Sequence, residues 1–69
     1  LKGYRAAGAS LTVIRTTIGT AQSVAIAIDK AHWPEIVGTI AGDDTIFIAT
    51  AGARPQRRLH DRLRSSFGR

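Results

Sequence analysis

The sequence predicts an α+β fold: a two-layer sandwich in which a four-stranded antiparallel sheet carries two helices on one face, in the order β-β-α-β-β-α. Three patterns predict it. Stretches rich in Ile, Val, Thr and Phe flank the turn Ala41-Gly42-Asp43-Asp44 and form a hairpin. An Ala-rich segment runs from Ala21 to Ala31 between Gly19 and Pro34, and Leu59, Leu63 and Phe67 recur at four-residue spacing, so each supplies a helix with one apolar side. Strands and helices with single apolar faces bury them against each other, which gives two layers around one core.

Taken in order, Leu1 to Arg5 and Ser10 to Thr17 are the first two strands, joined by the small residues Ala6-Ala7-Gly8-Ala9. Leu11, Val13 and Arg15 alternate with Thr12 and Ile14, a period of two with both faces partly apolar, and Leu1 and Tyr4 are the residues of the first strand expected to be buried. Gly19 ends the run, and Thr20 is placed to cap the helix that follows. Val24, Ala25, Ile28 and Ala31 share the face expected to lie on the sheet, while Gln22, Ile26 and Asp29 share another. The helix ends near His32-Trp33-Pro34, because proline cannot continue it and restricts the residue before it. Trp33 is expected to act as a packing plug. Glu35 to Ile40 and Thr45 to Thr50 are the third and fourth strands, with Gly38 marking a bulge or a close backbone approach. Ala51-Gly52-Ala53-Arg54-Pro55 then forms a loop with proline near the first position of the last helix, whose thin apolar stripe predicts weak attachment.

A chain of 69 residues makes one domain, and a domain this small usually needs disulfides, a structural metal or self-association to supplement its core. Cysteine is absent, and His32 and His60 show no ligand-like spacing, which removes disulfides and metal sites from consideration. Self-association is the remaining route, and the uncovered face of the sheet also asks for a partner. No apolar run approaches the roughly 20 residues of a membrane span, and no signal peptide opens the chain. The expectation is a soluble cytoplasmic domain without membrane partners. A start at Leu1 rather than methionine suits an excised C-terminal domain of a longer protein.

Charge is segregated. Arg54, Arg57, Arg58, Arg62, Arg64 and Arg69 all fall in the last helix and tail, whereas Lys2, Arg5, Arg15 and Lys30 balance Asp29, Glu35, Asp43 and Asp44 in the body. The basic helix is either a solvated charged face or a contact for nucleic-acid phosphates, and the adjacent aromatics of a single-strand reader are missing.

Two consecutive carboxylates occur only at the hairpin tip, Asp43-Asp44. Aspartate in a turn commonly just accepts bonds from nearby backbone amides. Here the flanks are apolar and uncharged, so the pair lacks a cation nearby in sequence and calls for one from a ligand or a neighbouring chain. Catalysis is poorly supported: there is no Ser-His-Asp or Cys-His set and no glycine-rich phosphate loop, and carboxylates on successive residues diverge rather than face each other across a substrate. A planar guanidinium matches a carboxylate with two parallel hydrogen bonds. Gln22 and Asp29, roughly 10 Å apart along a helix, either hold opposite ends of a small polar molecule or are surface residues, with Asp29 paired to Lys30 or Arg15. Residue chemistry reaches a cation and leaves open whether it is arginine, a polyamine or an arginine side chain of another chain.

The stretch Gly38-Thr39-Ile40-Ala41-Gly42-Asp43-Asp44-Thr45-Ile46, preceded by Trp33-Pro34-Glu35-Ile36-Val37 and by Ile14-Arg15-Thr16 through Gly19-Thr20-Ala21-Gln22, closely resembles the C-terminal domain of the bacterial arginine repressor family. The resemblance covers Ser10 to Ile48. It implies a non-enzymatic, arginine-binding and oligomerising domain of a transcription regulator, with L-arginine as effector and no cofactor. It further implies homo-trimers paired into homo-hexamers, and operator DNA read by an N-terminal winged helix-turn-helix outside this chain. Carried over position by position, the arginine contacts fall on Gln22, Asp29, Thr39, Ala41, Asp43 and Asp44, at sites between the two trimers. The chain departs from the family at Thr17-Ile18, where a residue followed by proline is frequent, and at His32, where glycine is usual. Its last helix is also more basic than the family's. The alternative reading is a small nucleic-acid-binding module working through the C-terminal arginines; a hydrolase using the Asp pair ranks last.

Overall fold

The computed structural model describes residues 1–67; Gly68 and Arg69, the latter part of the basic tail, lie outside the described residues. The element order is β1 (Gly3–Ala6), β2 (Leu11–Arg15), α1 (Ala21–Ala31), β3 (Ile36–Ala41), β4 (Thr45–Thr50) and α2 (Ala53–Phe67). All strand pairs are antiparallel and the sheet order is β1-β2-β4-β3, which sets β4 in the centre and leaves β3 on an edge. The expected architecture is therefore present, with the limits of the first three strands shifted by one or two residues, Thr45–Thr50 as expected, and the last helix starting at Ala53, inside the stretch expected to be a loop. Both helices cover the same face of the sheet.

Alternation along the central strands decides which face that is. Ile46, Ile48 and Thr50 of β4 and Thr12 and Ile14 of β2 are buried, and they meet Ala21, Ala25 and Ile28 of α1 and Leu59 and Leu63 of α2. Each Ile or Leu side chain so buried contributes about 1.5–3 kcal/mol from removal of apolar surface from water. Leu1, Tyr4 and Phe67 pack half-buried at the margin of this core, as does Trp33, in keeping with its expected role as a plug. Ala31 does not: it is exposed, because the last turn of α1 runs past the buried residues that end at Ile28. Gly38 sits at a register irregularity between β3 and β4, as its place in the strand suggested.

The ends of α1 differ from expectation in an informative way. Thr20 stands at the N-cap, but its hydroxyl donates to the carbonyl of Thr17 (2.8 Å) and makes no cap bond to the helix. The Ala21 N–H instead donates to the carbonyl of Asp43 at 3.3 Å, so the hairpin tip serves the helix start. At the other end His32 closes the helix in the left-handed conformation (φ 52°, ψ 43°), its N–H donating to the carbonyl of Asp29 at 3.3 Å. A side chain there carries a Cβ penalty of about 1–2 kcal/mol that glycine avoids.

Attachment of α2 does not rest on its apolar stripe alone. Buried Gln56 donates through Nε2 to the carbonyls of Gly8 (2.8 Å) and Leu11 (2.9 Å), tying the start of α2 to the β1–β2 connection. Arg62 donates Nε to Glu35 Oε1 (2.6 Å) and Nη2 to Oε2 (3.4 Å), and its guanidinium lies 5.8 Å from the Trp33 ring centre. Glu35 is buried, and the hydrogen bond from Arg62 is the main influence holding its carboxyl below the ordinary value. His60 shares a 2.9 Å hydrogen bond with the Thr12 hydroxyl and meets the Tyr4 ring edge-on. Three polar anchors thus replace the apolar contact that the sequence lacks.

Replacing Gln56 by alanine leaves the Gly8 carbonyl without its donor, whereas the Leu11 carbonyl keeps the Ala7 N–H at 2.8 Å. The expected cost is about 1–3 kcal/mol, the usual penalty for leaving a buried polar group unsatisfied. Urea unfolding at one fixed chain concentration measures it, and a loss below about 0.5 kcal/mol, the range of ordinary surface changes, contradicts this role for Gln56.

Candidate functional site

The hairpin between β3 and β4 turns through Gly42, Asp43 and Asp44, and its main chain is consumed locally. The Gly42 N–H donates to the Thr45 carbonyl at 2.8 Å. From the segment joining β2 to α1, the N–H groups of Gly19 (3.1 Å) and Ala21 (3.3 Å) reach the Asp43 carbonyl, and the Thr16 N–H reaches that of Asp44 (2.9 Å). With both carbonyls bound inward, the carboxylates are what the tip presents. The Asp43 side chain is exposed and has no hydrogen-bonded or ion-paired partner among the described residues.

Asp44 is different. Its Oδ2 lies 3.3 Å from Nη2 of Arg15, and its Oδ1 accepts the Thr45 hydroxyl at 3.0 Å. The Thr45 hydrogen bond is the largest cause of a pKa below the ordinary aspartate value, with the Arg15 charge and hydrogen bond adding to it against partial desolvation. The expectation that no cation stands near the pair is thus corrected: Arg15 is far in sequence, but the β2–β4 register sets it opposite Thr45, the residue after Asp44. Both partners are well exposed, 59% for Arg15 and 40% for Asp44, so water and salt weaken the pair and it exchanges readily.

Gln22 and Asp29 lie along the seam between α1 and the edge strand β3. Gln22 Nε2 donates to the Ala41 carbonyl at 2.9 Å, and the Thr39 hydroxyl donates to Asp29 Oδ1 at 2.7 Å. Because Gly42 turns its N–H to β4, the carbonyl of the preceding residue faces the open edge, where Gln22 meets it. Asp29 therefore pairs with Thr39, not with Lys30 or Arg15, and neither Gln22 nor Asp29 is a merely solvated residue. Each keeps unused capacity: the Gln22 side-chain carbonyl accepts, and the second carboxylate oxygen of Asp29 carries charge. Beyond Asp29 a cleft of about 330 Å³ opens between the end of α1 and the start of β3, walled also by His32, Trp33 and Gly38.

The structure gathers the six positions into two contacting pairs, Gln22 with Ala41 and Asp29 with Thr39, followed along the same strand by the tip bearing Asp43 and Asp44. Sequence reasoning missed Arg15 as the partner of Asp44 and Thr45 as its hydrogen-bond donor. The signal for both was strand register, which pairs Arg15 with Thr45 but shows in no local motif. Among the described residues, no group of three or more His, Cys, Asp or Glu is arranged to hold a metal, and no helix is long and apolar enough to cross a membrane.

A β-β-α-β-β-α sandwich with one bare sheet face and two carboxylates on a docked hairpin tip is the class of domain this chain presents. The chain belongs to the arginine repressor C-terminal domain family, whose model matches residues 6–65. It is 57% identical over 63 residues to an arginine repressor of Anaeromyxobacter sp. (strain K), covering 91% of this chain and 39% of that protein. It is 50% identical over 56 residues to one from Caldicellulosiruptor saccharolyticus (81% and 37%), and 51% over 57 residues to one from Desulforudis audaxviator (83% and 38%). The chain thus spans less than half the length of these relatives.

The environment of Asp44 yields a direct test. Its carboxyl is expected to titrate below the ordinary value of 3.8, and both Thr45→Val and Arg15→Gln are expected to move it upward. The sign follows from the lowered pKa: the stabilisation is full above the ordinary value and disappears as pH falls through the depressed one. Carboxyl-detected NMR titration reads this, and an Asp44 pKa unmoved by either change rules the assignment out.

Proposed function

We propose that this chain is the effector-binding and oligomerisation domain of an arginine-responsive transcription regulator of arginine metabolism, with L-arginine as co-repressor at sites between subunits. Such a domain is not an enzyme and uses no cofactor; the regulator acts in the cytoplasm and reads operator DNA through an N-terminal winged helix-turn-helix. Family membership supports the regulator class. The observation that carries the ligand reading is the asymmetry of the hairpin tip, where Asp44 already holds a guanidinium from its own chain and Asp43 stands exposed beside it.

In this reading the ligand guanidinium engages Asp43 and competes with or joins Arg15 at Asp44, making charge-assisted forked bonds. The seam formed by Gln22, Asp29, Thr39 and Ala41 receives the polar groups of the amino-acid end. Self-association is supported by the sheet face opposite the helices. Ile40 and Phe47 lie there, 77% and 49% exposed, and Leu11 and Ala49 help line a shallow apolar groove of about 290 Å³. Apolar surface of this kind on a small domain marks an interaction site. Trimers that bury this face and pair into hexamers through the hairpin tips would let one ligand contact two chains. Bound arginine then couples subunit arrangement to the presentation of the DNA-binding domains.

Titration calorimetry with L-arginine tests the ligand. Saturable heat is expected with the intact domain, and Asp43→Asn is expected to weaken binding at least about tenfold, since a lost charge-assisted bond is worth about 1.5–3 kcal/mol; Asp44→Asn acts in the same direction. Absence of heat from the intact domain defeats the proposal. Light scattering tests assembly: masses of three or six 7.4 kDa chains are expected, and a monomer both with and without arginine counts against it.

A further inference from the structure

The arginines of α2 are not equivalent. Arg62 is held by Glu35 and lies over Trp33, and Arg64 pairs at 3.5 Å with Asp61 across an exposed turn. Arg54, Arg57 and Arg58 are exposed, and none has a hydrogen-bonded or ion-paired acid among the described residues. Helical spacing puts them on the side opposite Gln56, Leu59 and Leu63, which enter the core, with neighbouring Cβ atoms about 5–6 Å apart. Arg54 also lies in the first turn of the helix, which holds no acidic residue and where the macrodipole disfavours a cation. Only Arg58 feels an acid of the domain, through the charge of Glu35, which Arg62 already pairs; Arg54 breaks the local rule with no such offset, the mark of a surface shaped by something outside the domain.

The chemistry of that surface selects its partner. A single-strand reader needs bare aromatic rings to stack bases, yet Phe67 and Trp33 are both half-buried against the core. A membrane-surface helix needs large apolar side chains beside its cations, yet the exposed large apolar residues are Ile18, Ile26, Val37, Ile40 and Phe47, none of them on α2. What remains is a set of guanidinium groups on one side of a helix, suited to phosphates along a duplex backbone. We propose that the face of α2 formed by Arg54, Arg57 and Arg58, with Arg64 toward its far end, is a sequence-independent docking surface for the phosphate backbone of duplex DNA. It is separate from the Asp43-Asp44 tip and independent of arginine binding there.

Fluorescence anisotropy of the intact domain with a labelled duplex of arbitrary sequence, titrated across salt concentrations, tests it. Binding is expected at low salt and is expected to weaken linearly on a log–log plot. The triple change Arg54→Gln, Arg57→Gln and Arg58→Gln is expected to flatten that slope by about 0.9 for each phosphate contact removed and to lower low-salt affinity at least tenfold. Lys2→Gln with Arg5→Gln, which removes positive charge from β1, is expected to leave most of the slope, and Asp43→Asn all of it; circular dichroism establishes that each variant folds. No duplex binding by the intact domain, an unchanged slope in the triple variant, or an equal loss in the β1 variant overturns the proposal. Binding to anionic lipid vesicles without binding to the duplex overturns it in favour of a membrane partner.

Discussion

The N–H groups of Thr16, Gly19 and Ala21 converge on the carbonyl oxygens of Asp43 and Asp44, and the rest of the domain depends on that docking. The bonds are main chain to main chain, so they fix the hairpin tip against the segment between β2 and α1 without using either carboxylate. They also fix the start of α1, because the Asp43 carbonyl accepts the N–H of Ala21, its first residue. Once α1 begins there it runs along β3, and Gln22 and Asp29 fall on Ala41 and Thr39. Backbone geometry therefore positions every member of the candidate site, with the side chains added last.

The same arrangement leaves the domain one-sided. All of its core lies between the helices and one face of the sheet, while Ile40 and Phe47 stand exposed on or beside the other face. A small domain buries a modest share of its surface, and this one offsets the thin apolar stripe of α2 with the polar anchors Gln56, Glu35–Arg62 and Thr12–His60. Two of these depend on protonation state in the same direction. Glu35 is held below its ordinary pKa chiefly by Arg62, and His60 is lowered mainly by burial and then by Arg64. Protonating either group costs the folded state, so acidification weakens both anchors of α2.

What the sequence made legible follows the range over which each signal acts. Helix limits of Ala21–Ala31, the strand Thr45–Thr50, the irregularity at Gly38 and the alternation of Thr12 and Ile14 are all set by neighbours a few residues away, and the structure shows them. The partners of Asp44 and Gln56 are set by register and docking across long stretches of chain, and composition cannot reveal them: Arg15 is 29 positions from Asp44, and Gly8 is 48 from Gln56. The candidate site lies between these cases. The motif around Asp43-Asp44 is contiguous and was visible as a hairpin, but the division of labour between the two carboxylates depends on where Arg15 falls when β2 pairs with β4.

That division bears on what the tip can hold. Two adjacent carboxylates repel, and binding a second cation at both would require each to be free. Arg15 removes one of them from that competition, which leaves a single uncompensated charge at Asp43. One uncompensated carboxylate complements one guanidinium, whereas a polyamine, with several ammonium groups and no planar fork, would leave charge unpaired or have to displace Arg15 outright. Because the Arg15–Asp44 pair is exposed, displacing or sharing it costs little. Within the proposed regulator, Arg15 therefore acts as a resident stand-in for half of the charge that the pair can accept, narrowing the choice toward a ligand with one planar cation and polar groups at its other end for the Gln22–Asp29 seam.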